Sequence, residues 1–300
     1  MFSAFAAVKS ECLKPIANAF GLNLLRTGNF AILPAELLFQ SRRDGRFESN
    51  AVYRATGRGD LSLAEMLSIP ITPEIERAMD EQTAEFDKLS SDEERRLKAR
   101  IGLGLTEVFL NRNPQMADCM DALLTSITLE SWLFFEAFAS DLWVAGVDNW
   151  TPPIAARMSA NRQWEKSDTK AASALRISAN AHTHRGSFWR EIGMVSFESL
   201  RLIKQFFGIA FGSDAEKLFD STEAGYIRAL SAFRNCIAHR AGKVDLKFKE
   251  DTQRFPEFNS LNLGDAILLD GDIVKRLRNA AAEMGLALLS HVDEMLQSGI

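Results

Sequence analysis

The residues best suited to chemistry stand together in one short stretch, Arg234-Asn235-Cys236-Ile237-Ala238-His239. Arginine keeps its charge at neutral pH, and its guanidinium binds phosphate oxygens through two N–H groups. Histidine titrates near neutrality and so accepts or releases a proton, while asparagine donates a hydrogen bond to a phosphate or to the histidine. Cleavage of RNA without a metal needs a base, an acid and a cation beside the phosphorane. The three residue types fit that chemistry without a cofactor.

This stretch falls at the end of a predicted helix whose apolar residues recur at helical spacing, at Tyr226, Leu230, Phe233 and Ile237. Arg234 lies roughly 70° from the centre of that stripe, and His239 lies about 150° from it on the other side. In one unbroken helix the two side chains cannot converge on one small ligand. Two alternatives stay open: the helix ends before His239, with Gly242 as the helix-ending residue, or a second copy of the chain completes the site.

The elements around this helix are predicted to be helices as well. A long helix with a wide apolar face is expected over residues 116–147, a buried helix over 188–211, and an amphipathic helix from Asp272, its candidate cap, to Leu296. Asp220 and Glu223 are placed to cap the helix that leads into the motif. Short extended runs at 244–248 and 266–269 are the strand content that we expect. The fold class predicted is therefore all-α.

The motif and its helices resemble the HEPN superfamily, in which four to six residues separate an arginine from a histidine and a polar residue follows the arginine. The similarity covers roughly residues 115 to 300, and the run Trp132-Leu133-Phe134-Phe135-Glu136-Ala137-Phe138 resembles the first long helix of that family. The resemblance implies a HEPN-like bundle that pairs as a homodimer with two motifs facing one cleft. It also implies a metal-independent endoribonuclease, a toxin or an antiviral defence effector, with RNA as its substrate.

The resemblance assigns roles to three residues. Arg234 is expected to stabilise the phosphate, Asn235 to position it, and His239 to act as general base or acid. Many HEPN relatives have lost activity, so a non-catalytic RNA-binding or protein-interaction module is the alternative function. A purely structural interpretation of the motif also stays open, in which Arg234 pairs with a carboxylate inside the bundle and His239 caps a helix end.

The first 110 residues show no resemblance to a family that we identify. We expect a helical region over residues 1–95 that restrains or steers a HEPN-like domain over residues 96–300, unless a regulatory partner protein does so. A helix is expected to open at Ser91-Asp92-Glu93-Glu94 and to run toward Leu110. The arginine-rich segment from Arg42 to Arg58 is predicted to be a solvated loop rather than a contact for RNA phosphates.

Two further histidines lie in a basic zone, where residues 154–190 carry seven Lys or Arg against two carboxylates. His182, His184 and Arg185 are candidate RNA contacts, although a solvated loop is favoured there. A metal role for the two histidines is disfavoured because no carboxylate or cysteine adjoins them.

Composition sets outer bounds on function. The chain has 300 residues, of which 46% are hydrophobic, and a net charge of -5 that argues against broad coating of nucleic acid. Cys12, Cys119 and Cys236 are odd in number and lack metal-ligand spacing, so we expect no disulfide and no zinc site. Neither a signal peptide nor a membrane span is expected near the N-terminus, and a cytoplasmic location is predicted.

Overall fold

The computed structural model describes residues 5–59, 65, 68–86, 88, 114–149, 157, 185–191, 193, 195–220, 225–267 and 269–298, and gives only the backbone at 31–46, 114, 116, 185 and 188. Within these ranges the regular elements are α-helices and one short 3-10 helix, with no strand. Lys243 and Ala266 form an isolated antiparallel bridge. The all-α fold class is therefore confirmed.

The α-helices of the described part of the chain are α1 (Lys14–Thr56), α2 (Pro73–Phe86), α3 (Pro114–Asp148), α4 (Arg185–Glu191), α5 (Leu200–Phe211), α6 (Ser213–Leu218), α7 (Gly225–Arg240), α8 (Leu246–Thr252) and α9 (Gly271–Ser298). The 3-10 helix Pro256–Phe258 lies between α8 and α9. The chain divides into a larger compact unit, Met1–Gly28 with Asp121–Ile300, and a smaller one, Asn29–Met120. The predicted boundary between residues 95 and 96, and the helix predicted over 91–110, fall outside the described residues.

The smaller unit has a small core of its own. Ala51 and Val52 of α1 pack with Ile75 of α2, and all three are buried. The side-chain amide of Gln82 in α2 donates to the backbone carbonyl of Phe47 in α1 at 3.2 Å. This hydrogen bond joins the two helices beside their apolar contact.

The larger unit is held by one aromatic-rich core. α3 contributes fully buried Ile127, Trp132, Phe135, Leu142 and Trp143, and residues of α5, α7 and α9 pack with them. The indole N–H of Trp143 donates to the carbonyl of Phe206 in α5 at 2.9 Å. A Cβ at Gly146 would lie 2.7 Å from the ring of Phe211, so glycine is needed where α3 and α5 approach most closely.

The first residues of the chain belong to the larger unit. Phe20 of α1 is buried, stacks on Phe138 of α3 at 4.1 Å between ring centroids, and lies against Gly285 of α9. The carboxylate of Asp293 accepts the backbone amides of Lys9 and Ser10 at 2.9 and 2.8 Å. Burial acts to raise the pKa of Asp293, but these hydrogen bonds outweigh it and hold the pKa below its ordinary value.

The helix predicted over residues 188–211 is wrong as a single element. α4 ends at Glu191, Gly193 follows with a φ of 72°, and α5 begins only after Ser199. The hydroxyl of Ser199 accepts the amide of Leu202 at 3.4 Å and thereby caps α5. A glycine in the left-handed region and a new N-cap break the apolar run into two helices.

The extended run predicted at 244–248 is also wrong from residue 246 onward. The carboxylate of Asp245 accepts the amide of Phe248 at 2.8 Å and starts α8 instead. The last helix runs to Ser298 as the pattern indicates, but Asp270 caps it rather than Asp272, because the amide of Ile273 donates to Asp270 at 2.7 Å. Short polar side chains at these starts decide which residues become helical.

Two further expectations concern the N-terminal half and α7. The arginine-rich segment is helical as far as Thr56, so the loop predicted there is wrong over that range. Asp220 lies in a turn before α7, and residues 221–224 fall outside the described ranges, so its capping role stays a prediction.

Among the described residues one helix is long and apolar enough to cross a membrane, over Ala117–Asp148 within α3. A core helix of a soluble protein has the same length and composition. Ile127, Trp132, Phe135, Leu142 and Trp143 of this stretch are completely buried in the larger unit.

The packing of Phe20 generates a stability prediction. Phe20→Ala should lower the free energy of unfolding by about 3 to 5 kcal/mol, because a buried ring is removed and its cavity stays. Urea unfolding followed by circular dichroism measures the loss. Leu22→Ala on the same helix is the control, since Leu22 is 54% exposed and its truncation should change stability by less than about 0.5 kcal/mol. Equal losses for the two variants would contradict the assignment of Phe20 to the core.

Candidate functional site

The motif lies on one unbroken helix. α7 continues through His239 to Arg240 and ends where Ala241 and Gly242 adopt φ values of 52° and 73°. The amide of Gly242 donates back to the carbonyl of Cys236 at 3.0 Å, as expected of a helix-ending glycine. Because the helix does not end before His239, the first of the two alternatives is excluded.

Arg234 and His239 are consequently separated within one chain. Five residues of α-helix place them about 140° apart around α7 and about 7.5 Å apart along it. The two side chains do not contact the same point. A site that needs both must be completed by another molecule.

Packing fixes the rotation of α7. Ile227, Leu230 and Phe233 are completely buried, and α7 packs against α8 and α9. The ring of Phe233 meets the rings of Phe248 and Phe258 edge-on, at centroid distances of 5.1 and 5.2 Å. The predicted stripe is confirmed in its centre, and the motif side chains are left on the flanks of the helix.

Arg234 and Asn235 form a joined pair. The Nη1 atom of Arg234 donates to Oδ1 of Asn235 at 3.1 Å, and both residues are half-buried. With Oδ1 turned to the guanidinium, the Nδ2 group of Asn235 is available as a donor to an anion. This arrangement suits phosphate binding by the two residues together.

A carboxylate in the run Trp132 to Phe138 interacts electrostatically with Arg234. Glu136 of α3 accepts a hydrogen bond from the indole N–H of Trp132 at 2.7 Å and is half-buried. Burial raises its pKa above the ordinary value, although Trp132 and the charge of Arg234 act in the lowering direction; Glu198 adds to the rise. The spacing of Trp132 and Glu136 by four residues was the available signal for this contact.

His239 has no partner among the described residues. It is exposed in the last turn of α7, and it makes no hydrogen bond or ion pair there. Its imidazole is therefore free to meet a ligand or a second protein chain. The position also allows a positively charged imidazole to stabilise the helix end.

Asn235 also lines a groove of about 450 Å³ on the larger unit. Four cationic side chains share that lining: Arg201, Lys204, Arg228 and Lys247. They come from α5, α7 and α8, so no spacing in the sequence connects them. The motif asparagine was predicted, whereas the groove beside it was not.

The remaining candidates are not brought to this site. His182 and His184 lie outside the described residues. Arg185 is the first residue of α4, and the structure gives only its backbone. Their RNA contacts stay predictions. The three cysteines are free, with Cys236 buried in α7. In the described ranges no group of three or more His, Cys, Asp or Glu is placed to hold a metal ion.

No protein-family model matches this chain, and no curated protein or solved structure is significantly similar to it. A function must therefore be argued from the motif, the helices that carry it and the groove.

The electrostatic interaction between Arg234 and Glu136 generates a prediction about titration. Arg234→Gln should raise the pKa of Glu136 further, because the positive charge that favours the carboxylate is lost. Carbon-detected NMR of the glutamate side chains over pH measures the shift. Arg240→Gln is the matched control, since Arg240 lies on the same helix but pairs with Asp245 instead. A pKa of Glu136 that does not change in Arg234→Gln would contradict this geometry.

Proposed function

We propose that this protein is a metal-independent endoribonuclease of the HEPN type that acts as a homodimer. The main support is the arrangement of the motif side chains on α7. Arg234 and Asn235 are hydrogen-bonded to each other, and His239 is exposed without a partner among the described residues. These are the three residue types that metal-independent RNA cleavage requires, held on a helix whose opposite side is locked in the core.

The proposed reaction is an internal transesterification. His239 removes the proton of a ribose 2′-hydroxyl, the 2′-oxygen forms a bond to the adjacent phosphorus, and the bond from phosphorus to the 5′-oxygen of the next nucleotide breaks. A protonated imidazole gives its proton to that leaving oxygen. Arg234 neutralises the charge that develops on the phosphorane, while Asn235 donates to a non-bridging oxygen. The products are a 2′,3′-cyclic phosphate and a 5′-hydroxyl.

The geometry of α7 supports the proposal of a dimer. One chain holds Arg234 and His239 about 140° apart on the same helix, so one chain alone does not surround a phosphate with both. A two-fold axis beside α7 brings the arginine of one copy near the histidine of the other.

The alternative function is a non-catalytic RNA-binding or protein-interaction module. One observation favours it: Arg234 acts on the half-buried carboxylate of Glu136, which gives the arginine a structural role in the bundle. If the motif had only a structural role, we would expect the histidine to be buried against a carboxylate. The exposure of His239 therefore favours catalysis over a purely structural role.

The catalytic proposal predicts the effect of removing the imidazole. Purified protein should cleave single-stranded RNA in the presence of EDTA, and His239→Ala should lower the rate by about 10² to 10⁴, as expected when a general acid or base is lost. His291→Ala is the matched control, because that histidine lies on α9 with its ring against the carbonyl of Phe211. If His239→Ala cleaves as fast as the unchanged protein, the catalytic assignment is wrong.

The shared site makes a separate prediction. Arg234→Ala and His239→Ala should each cleave RNA at a strongly reduced rate alone, and mixing the two after reversible dissociation should restore part of the activity. A mixed dimer has one intact pair, formed by the arginine of one copy and the histidine of the other. Sedimentation should show dimers before and after mixing. Dimers that stay inactive after subunit exchange would contradict a site shared between chains.

A further inference from the structure

We propose that the groove lined by α5, α7 and α8 binds phosphodiester groups of an RNA strand next to the bond that is cleaved. The inference rests on the proposed function, because Asn235 belongs both to the motif and to the groove lining. It adds a binding subsite built from side chains outside the motif.

One wall of the groove is a single face of α7. Arg228, Ser231 and Asn235 line the groove, and their spacing of three and four residues places them above one another on the helix. The wall spans about 10 Å along α7 from Arg228 to Asn235. A strand that follows it arrives at Asn235 and therefore beside Arg234, to which Asn235 is hydrogen-bonded.

The opposite walls supply cations that are weakly paired. Arg201 of α5 makes no ion pair with a described residue, and Lys247 of α8 reaches Asp251 only at 3.6 Å. The lysine side chain is 70% exposed, so the strength of this pair is low in water. Both side chains can turn to a phosphate at small cost.

Two further cations share one carboxylate at the end of the groove. Lys204 and Arg228 both contact Oδ1 of Asp220, at 2.8 and 3.0 Å, and Glu216 lies 3.9 Å from Lys204. Arg228 is also held by the carbonyl of Phe219 at 3.0 Å. Counting Asp251 of the lining and the two carboxylates that pair with Lys204, Asp220 and Glu216, against the four cations leaves one positive charge more than negative charges.

A buried hydroxyl in the groove has no hydrogen-bond partner in the part of the chain that the structure describes. Ser231 is 9% exposed, lines the groove, and makes no hydrogen bond with any described residue. A buried hydroxyl without a partner costs free energy that a ligand oxygen would recover. Together with the amide of Asn235, this hydroxyl provides neutral donors between the cations.

The size of the groove favours a strand over a single anion. A volume of about 450 Å³ exceeds what one phosphate fills, and its cations are distributed over three helices rather than gathered at one point. Contacts of this kind hold and orient a nucleic-acid backbone without reading its sequence. Because Asn235 stands at one end, the groove would place the strand for cleavage.

The experiment measures binding separately from cleavage. Full-length protein carrying His239→Ala is titrated into a fluorescent single-stranded RNA of mixed sequence, with anisotropy as the signal, at several salt concentrations. The additional pair Arg201→Gln and Lys247→Gln should reduce the dependence of log K on log salt by about 1.4 and weaken binding about tenfold at 0.15 M salt, since each lost phosphate contact in a single strand contributes about 0.7. Ser231→Ala should weaken binding without altering that dependence, because no charge is removed.

Lys275→Gln is the control for general charge, since Lys275 is exposed on α9 and does not line the groove. Unchanged affinity and salt dependence in the double variant would overturn the proposal, and so would an equal loss in Lys275→Gln. Inorganic phosphate or a nucleoside monophosphate could also be added as a competitor of the fluorescent RNA. Displacement of that RNA at the same concentration as unlabelled RNA requires would overturn the proposal in favour of a site for small anions.

The two proposals fail in different measurements. Cleavage that persists in His239→Ala contradicts the catalytic assignment and does not alter the binding result for the groove. RNA affinity that does not change when Arg201 and Lys247 are replaced contradicts RNA binding in the groove. A loss of cleavage in His239→Ala would still support the proposed ribonuclease activity.

Discussion

The burial of one side of α7 is the constraint on which the site depends. Ile227, Leu230 and Phe233 have no exposed surface, so rotating α7 would expose a core stripe and cost several kcal/mol. The helix therefore has one orientation, and its continuation through His239 fixes the separation of the two chemically active residues. Neither a rotamer change nor a small shift of the helix brings them together. A site that used both side chains would therefore require a second copy of the chain.

The neighbourhood of Arg234 shows how the core influences the motif. Glu136 stands on α3 with its indole partner, partly removed from water, and a carboxylate in such a place is costly to ionise. The guanidinium of Arg234 offsets part of that cost, and its hydrogen bond to Asn235 gives it a second fixed contact. An arginine held in this way loses little side-chain entropy when a phosphate binds, which favours binding. Structural and catalytic roles for Arg234 are thus compatible.

The sequence predicted structure correctly where an apolar pattern repeats along a single helix. The helix over 116–147, the stripe of the motif helix and the end at Gly242 were predicted because apolar spacing and a terminal glycine are signals within a few turns. It was misleading at 244–248, where Val244, Leu246 and Phe248 alternate as in a strand but the carboxylate of Asp245 starts a helix.

Long-range features were beyond such patterns. α1 runs for 43 residues through Pro34 and Gly45, two residue types that normally indicate a helix end. Arg201 and Lys247 are brought to one groove only by the packing of α7 against α8 and by the turns that follow α5, which no local spacing encodes. The motif could be predicted because its residues lie within two turns of one helix. The groove could not be predicted because its residues come from three helices that are brought together only by packing.

The net charge of the chain and the charge of the groove act over different distances. At 0.15 M salt the screening length is about 8 Å, so an RNA strand in the groove interacts with the groove lining and hardly with distant carboxylates. A chain of net charge -5 can therefore hold a phosphate locally, while its overall charge slows the approach of nucleic acid and opposes binding elsewhere on the surface. For a ribonuclease this combination is favourable, because a strand is retained only where the cations, Ser231 and Asn235 lie together. Composition argues against broad coating of nucleic acid, and a narrow site such as the proposed groove is compatible with that expectation.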